Sequence, residues 1–181
     1  TTVIFKLKDP RLDWREQTYP RWMQPADIYE SECLGTNAVH YQANIILSKM
    51  AQILNDEEVA VRHSKIAEHI KEGINKYLWL EDKGYYAQYL YGRNYKSVSS
   101  RSEALGEALC VIFGISNAER SKKIVSSVPV TDYGISCIYP QIPNIPPYHN
   151  NGVWPFVQAY WALASAQAGN EYSVLESIAA S

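Results

Sequence analysis

Residues 33–78 hold two long runs in which apolar side chains return every three or four positions, with almost nothing between them. In the first run Val39, Ala43, Ile46, Met50 and Leu54 fall on one side of a helix; in the second, Ile66, Ile70, Ile74 and Tyr77 do. That spacing is the mark of an α-helix with one apolar face. Asn55 followed by Glu58 has the spacing of a capping box, so the second helix is expected to open there. A connector this short forces the two helices antiparallel. Glu58–Arg62 and Glu72–Lys76, each four residues apart, mark the solvated side of the second helix. The chain is therefore constrained first of all to contain an α-helical hairpin.

The pattern recurs. Ser100 with Glu103 predicts a helix that ends at Gly114, a residue suited to the left-handed position after a helix. Ser116 with Glu119 predicts its partner, which fades near Val128 and Pro129. Pro155 suits the first turn of a later helix, with Phe156, Tyr160, Ala164 and Ala168 along its buried face and Gly169 as its stop. Residues 171–181 begin one more helix. Each hairpin spans roughly 40–50 residues, the period of α-hairpin arrays, which are open solenoids or closed toroids. The expected fold class is all-α, with residues 1–181 as one partial domain truncated at both ends. The chain opens on Thr1, and its last helix stops without a terminator.

Three segments break the helical period: 9–32, 83–99 and 129–155. Residues 83–92 (KGYYAQYLYG) read as an aromatic extended excursion, and residues 129–151 carry five prolines. In arrays, such insertions gather on one face, often the binding face.

A net charge of −2 with no basic stripe argues against a nucleic-acid partner. No apolar run is long enough to span a bilayer. The chain has 14 Tyr and 5 Trp but 3 Phe, a bias toward rings that join a flat apolar face to a polar edge. Sugars suit such rings, and so do helix contacts. Cys33, Cys110 and Cys137 are too widely spaced for a zinc site; Cys33 and Cys110 sit in apolar stretches and are expected to be buried thiols. His63 and His69 are six apart, wrong for a shared metal face, and His40 reads as a satisfied partner. Gly84, Gly92 and Gly106 form no phosphate loop. No metal or cofactor is expected.

The densest chemistry is DWREQTYPRWM at residues 13–23. Pro20 and Pro25 disfavour a long helix there, and a loop can turn acids and aromatic faces into a cavity. Glycoside hydrolysis needs one carboxylic acid to protonate the leaving oxygen and a second carboxylate to activate water or attack. Aromatic neighbours raise an acid's pKa by desolvation, and Arg orients hydroxyls and carboxylates. The alternative is a surface loop whose Asp and Arg merely pair. Asp27, Glu30 and Glu32 could shape a site or favour a helix N-terminus; Glu103 reads as a cap rather than a base. A second segment, HNNGVWPFV at 149–157, joins hydrogen-bonding side chains, a glycine that permits close backbone approach, and a Trp face at a helix start.

DWREQTYPRWM, followed by TNAVHYQANIILSKMAQIL, resembles bacterial six-hairpin glycosidases, the (α/α)₆ toroids that include trehalase-like, glucosidase-type and debranching-type hydrolases. HNNGVWPFV is similar to the G-x-W-P stretch that opens a late helix there and lines the sugar pocket. The resemblance implies that Asp13 is the general acid, with Glu16 as the alternative. It implies that Trp14, Arg15, Tyr19, Arg21, Trp22, His149, Asn151 and Trp154 contact an oligosaccharide or glycoside. It further implies inversion at a glycosidic, α-linked bond, with the catalytic base C-terminal to the G-x-W-P helix, beyond residue 181, so that these 181 residues alone are expected to be inactive. Two other classes compete: a non-catalytic α-hairpin module that binds glycan or protein, and a toroid epimerase, which would want a His pair where the chain has four His in all.

Overall fold

A computed structural model describes residues 19–92 and 94–180, without the side chain of Tyr29. Asp13, Trp14, Arg15 and Glu16 lie outside the described residues. The chain order begins α1 (Pro25–Tyr29), β1 (Glu32–Cys33), α2 (Leu34–Ile53), α3 (Glu57–Tyr77), β2 (Trp79–Leu80), β3 (Tyr85–Tyr86), β4 (Tyr89–Tyr91) and β5 (Ser97–Val98). It continues with β6 (Ser102–Glu103), α4 (Ala104–Ile112), α5 (Ala118–Ser127), β7 (Val130–Thr131), β8 (Gly134–Ile135), β9 (Ile138–Tyr139), α6 (Pro155–Gln167) and α7 (Glu171–Ala179). The fold is thus predominantly helical, as expected, with small two- and three-stranded sheets among the helix starts. No described helix is long and apolar enough to cross a membrane.

The strands have a definite place. β1 pairs with β4, and β4 with β5, in register Glu32–Leu90–Val98. β6 pairs with β9, Ser102 opposite Tyr139. Val153 bridges Ser136 just before α6. Helices α2, α4 and α6 therefore all start from backbone already paired with an irregular segment, which satisfies amide groups that buried loops would otherwise leave open. The excursion at 83–92 is the β3–β4 region, as its composition suggests.

α2 packs against α3 and α4, α4 against α6, and α6 against α7. α4 lies in the middle and is buried along most of its length. Its N-terminal turn meets that of α2 through two glycines: a Cβ on Gly106 would stand 3.0 Å from a Leu34 methyl and 3.1 Å from the Gly35 nitrogen. A polar knot ties α3, β2–β3 and α5 together. Asn75 Oδ1 accepts from Tyr86 Oη at 2.7 Å and from the Arg120 guanidinium at 2.7 Å, and Arg120 lies 4.5 Å over the Trp79 ring.

Several local expectations are corrected. Asn55 does not cap α3; it sits in the left-handed region with φ 58°, and Asp56 is the cap, accepting from Val59 N at 3.1 Å. The cap of α4 is Glu103 itself, whose Oε2 accepts from Gly106 N at 2.7 Å, and not Ser100. The cap of α5 is Asn117 (to Arg120 N, 2.8 Å), while Ser116 turns back to the Cys110 carbonyl and to Ser121. The proposed α2 stripe of Val39, Ile46, Met50 and Leu54 is exposed; Leu34, Ala38, Tyr41 and Ala51 are the buried apolar side. On α6, Ala164 and Ala168 are buried as expected, but Phe156 and Tyr160 are exposed and their neighbours Val157 and Trp161 are buried instead. Gln158 is buried beside them and satisfied: it accepts from Ile135 N at 2.7 Å and donates to the Ser177 carbonyl at 2.8 Å. Gly114 and Gly169 do end their helices, at φ 70° and 74°. Cys110 and Cys137 are buried and Cys33 is partly so; none of the three is in a disulfide. Burial pushes the Cys33 and Cys110 thiols up, which keeps them protonated.

Glu107, fully buried on α4, accepts from Tyr86 N at 2.8 Å and from Ser102 Oγ at 3.0 Å through one carboxyl oxygen. Burial pushes its pKa well above the usual carboxylate range, against the opposing pull of those hydrogen bonds. A folded-state pKa above the unfolded one stabilises the fold most below the unfolded value, about pH 4. That contribution is lost as pH rises through the folded pKa. Glu107→Gln removes the titration. Urea denaturation across about pH 4 to pH 9 should show stability falling with rising pH less steeply in the variant than in the parent; parallel profiles would refute this role.

Candidate carbohydrate-binding site

The described end of the first motif is docked on β4. Tyr19 packs on Tyr89 with ring centroids 5.7 Å apart, and Trp22 on Tyr91 at 5.5 Å. Tyr89 and Tyr91, two apart on a strand, share one face, which is why one strand can hold both rings. Burial pushes the Tyr89 hydroxyl far above its ordinary pKa, so it remains a donor, to Met23 Sδ at 3.4 Å. A turn closed by Met23 N to the Pro20 carbonyl at 3.0 Å presents Arg21 and Trp22 outward. α1 follows at once, with Gln24 N donating to Asp27 Oδ2 at 3.1 Å, so Asp27 serves the start of this short helix.

Pro20, Arg21 and Trp22 form one wall of a cleft of about 390 Å³. The facing wall is Arg101, from the turn ahead of β6, with Pro143 and Asn144 from the loop between β9 and α6. That size lies within the range of small-molecule sites. Trp22 is 58 % exposed, so its face is open to a ligand.

The loop between β9 and α6 is held by Asn150, which is fully buried. Its side chain accepts from Ile142 N at 2.8 Å and donates to the carbonyls of Ile142 at 2.9 Å and Ile145 at 3.1 Å. Its amide therefore closes both ends of the segment that carries Pro143 and Asn144. Gly152 sits where a Cβ would stand 2.3 Å from the Tyr148 carbonyl oxygen, so only glycine permits this turn. Beyond it lies an aromatic group: His149 stacks on Trp154 at 5.2 Å, and Tyr148 packs edge-on at 5.0 Å. Trp154 Nε1 donates to the Tyr148 carbonyl at 2.9 Å.

The structure thus brings Arg21 and Trp22 into one cleft, sets Tyr19 behind it on β4, and joins His149 and Trp154 in a second cluster further along the same loop. Trp154 is not a lining residue of the cleft, His149 is buried and Asn151 is exposed. Glu32 is enclosed in β1, with Lys96 Nζ 3.0 Å from its carboxylate. Glu103 acts as a cap, as its position suggested. Arg101, Asn144 and Asn150 were not singled out as cleft or clamp residues by the sequence; nothing in their neighbourhood announces which way their side chains turn.

Helical hairpins with aromatic loops at the helix starts define a class that includes glycosidases of known structure. The fold is similar to neutral trehalase Nth1 from Saccharomyces cerevisiae (TM-score 0.70, 13 % identity, 86 % of this chain and 31 % of that one). It is similar also to the GH63 mannosylglycerate hydrolase from Thermus thermophilus in complex with glucose (TM-score 0.67, 17 % identity, 84 % and 39 %). The chain spans well under half the length of either. No curated protein matches it in sequence. The chain belongs to the mannosylglycerate hydrolase MGH1-like glycoside hydrolase domain family, which it matches over residues 8–179. The resemblance drawn from the two motifs therefore holds at the level of the superfamily.

Asn150→Ala would strand the Ile142 amide and two carbonyls in a buried loop. The loss should be about 2–4 kcal/mol in denaturant titration, with Asn150→Asp between the two because it keeps the acceptor and loses both donors. An Ala variant within 0.5 kcal/mol of the parent (roughly the level of a neutral surface change) would show that the loop does not depend on this clamp.

Proposed function

We propose that the protein is a glycoside hydrolase that cleaves an α-linked bond with inversion, Asp13 serving as its general acid. The observation that carries this proposal is the family match over residues 8–179, which takes in both motif segments. The cleft between Arg21, Trp22 and the loop before α6 supports it as a place for a sugar, since Arg21 and Trp22 belong in sequence to the motif that carries Asp13. Trp14, Arg15 and Tyr19 flank the acid, and His149, Asn151 and Trp154 serve the sugar from the second segment. Glu16 is the alternative acid. In an inverting site the protonated carboxyl donates to the leaving oxygen. A second carboxylate, about 6.5–9.5 Å away, takes a proton from a water on the opposite face of the ring. The complete protein, rather than residues 1–181 alone, is proposed as the active species and as one domain of six hairpins. Glucose, bound in the Thermus thermophilus relative, makes glucosides the first substrates to try.

The test is hydrolysis of α- and β-linked disaccharides and aryl glycosides by the complete polypeptide, with the first-formed anomer read by NMR. Asp13→Asn should lower kcat by about 10²–10⁴-fold while leaving KM within a few fold, the effect of removing a proton donor. Full activity in Asp13→Asn with loss in Glu16→Gln would transfer the role to Glu16. Saturable sugar binding without turnover of any glycoside would favour a non-catalytic binding module.

A further inference from the structure

Several cations of the described structure have partners on the body of the protein. Lys96 meets Glu32 at 3.0 Å, Lys123 meets Glu81 at 3.0 Å and Glu119 at 3.2 Å, Arg120 meets Asn75 at 2.7 Å, and Lys71 donates to the Gly114 carbonyl at 2.8 Å. The cleft is different. Arg21 and Arg101 both line it, no carboxylate is among its described lining residues, and neither guanidinium forms a salt bridge among the described residues. Arg101 is partly buried, and its Nε is out of contact with water and has no hydrogen-bond partner among the described residues. Its backbone, by contrast, is anchored: the carbonyl accepts from Gln88 N at 2.7 Å, and the amide donates to Ser99 Oγ at 3.3 Å. A buried guanidinium nitrogen without an acceptor, as at Arg101, costs free energy until one arrives, and the exposed Arg21 on the other wall adds its positive potential to the same cleft.

We infer that this cleft recognises an anionic sugar, a ring bearing a carboxylate or a sulfate ester, with Arg101 and Arg21 as the specificity-determining residues. The planar fork of Arg matches either oxyanion in a bidentate way. The exposed Trp22 beside Arg21 offers a face to the apolar side of the ring. Asn144, held at φ 60° in the loop that Asn150 clamps, supplies a further hydrogen-bonding edge. This inference rests on the glycosidase proposal for what the bound sugar is used for, and not for the binding itself.

The experiment is titration calorimetry on the complete polypeptide with matched pairs: glucuronate and glucose, galacturonate and galactose, mannuronate and mannose, and the 6-sulfates of the three neutral sugars. At least one acid or sulfate should bind about tenfold more tightly than its neutral counterpart, the scale of one charge-assisted contact, and the preference should shrink as salt is raised. Carboxylate and sulfate arms distinguish the two anions. Arg101→Met should bring the ratio close to one, and Arg101→Lys should restore part of it. A residue with a merely structural role would weaken both members of a pair together and leave the ratio unmoved. Equal affinities throughout, or a preference that survives Arg21→Met and Arg101→Met combined, would overturn the inference. Turnover is read separately: anion preference without hydrolysis of any glycoside removes the glycosidase proposal and keeps the site, whereas hydrolysis of neutral glycosides with no anion preference does the reverse.

Discussion

Everything in the described structure is arranged around the contact between the first turns of α2 and α4. Gly35 and Gly106 face each other there, with Leu34 and the Glu103 carboxylate filling the rest of the space. A side chain on Gly106 would meet backbone at Gly35, not merely a flexible group. The segments that lead into the two helices are linked through Gln88, whose carbonyl accepts from Leu34 N at 2.9 Å and whose amide donates to the Arg101 carbonyl at 2.7 Å. Because β1 pairs with β4 and β6 with β9, the inter-hairpin segments 83–99 and 129–155 are drawn to the same end of the helices. The cleft is the product of that convergence: one wall comes from the residues docked on β4, the other from the turn before β6 and the loop after β9.

Polar groups inside the protein act as locators. Glu107, Gln158, Asn75 and Asn150 are all held by hydrogen bonds to backbone or to side chains of distant elements. In a helical array the apolar faces are tolerant of sliding by a residue, since one aliphatic contact is much like the next. A buried carboxamide that must meet a particular carbonyl is not tolerant, because leaving that carbonyl unpaired costs more than the contact contributes. These groups therefore set the rotation of α6 and the path of the loop before it. They also explain why the site loop can be irregular and proline-rich without being loose.

Much of the fold was legible along the chain. The hairpin of α2 and α3, the extended aromatic excursion at 83–92, the stops at Gly114 and Gly169 and the start at Pro155 all follow from spacing and from backbone preferences that act within a turn of helix. The errors are equally local in origin. Asn55 and Asp56 are adjacent potential caps; which one serves depended on whether the chain needed a left-handed residue to turn between helices, and Asn55 took that conformation. Ser100 lost the start of α4 to Glu103 because the strand pairing of β6 with β9 carries the chain extended up to residue 103. The Val39–Leu54 stripe is a true helical face, but periodicity says only that a face exists and not what lies against it. In the described structure the small and polar side of α2, through Ala38, Asn37 and Tyr41, is the one that packs.

The sequence by itself determined the helices, the pairing of α2 with α3 and the two segments dense in sugar-compatible side chains, because these depend on residues close in the chain and on the chemistry of single side chains; the expected pairing of α4 with α5 is not found, α4 packing on α2 and α6 instead. It also carried the family resemblance, since motif residues are read one after another. Only the tertiary structure decided that Arg101 stands opposite Arg21 and Trp22, eighty residues away in the chain. Only it decided that Asn150 faces inward as a clamp while Asn151, its neighbour, faces water. Such choices depend on strand register and on which carbonyl lies within reach of which amide. Those distances are set across the fold and leave no periodic trace in the order of the residues.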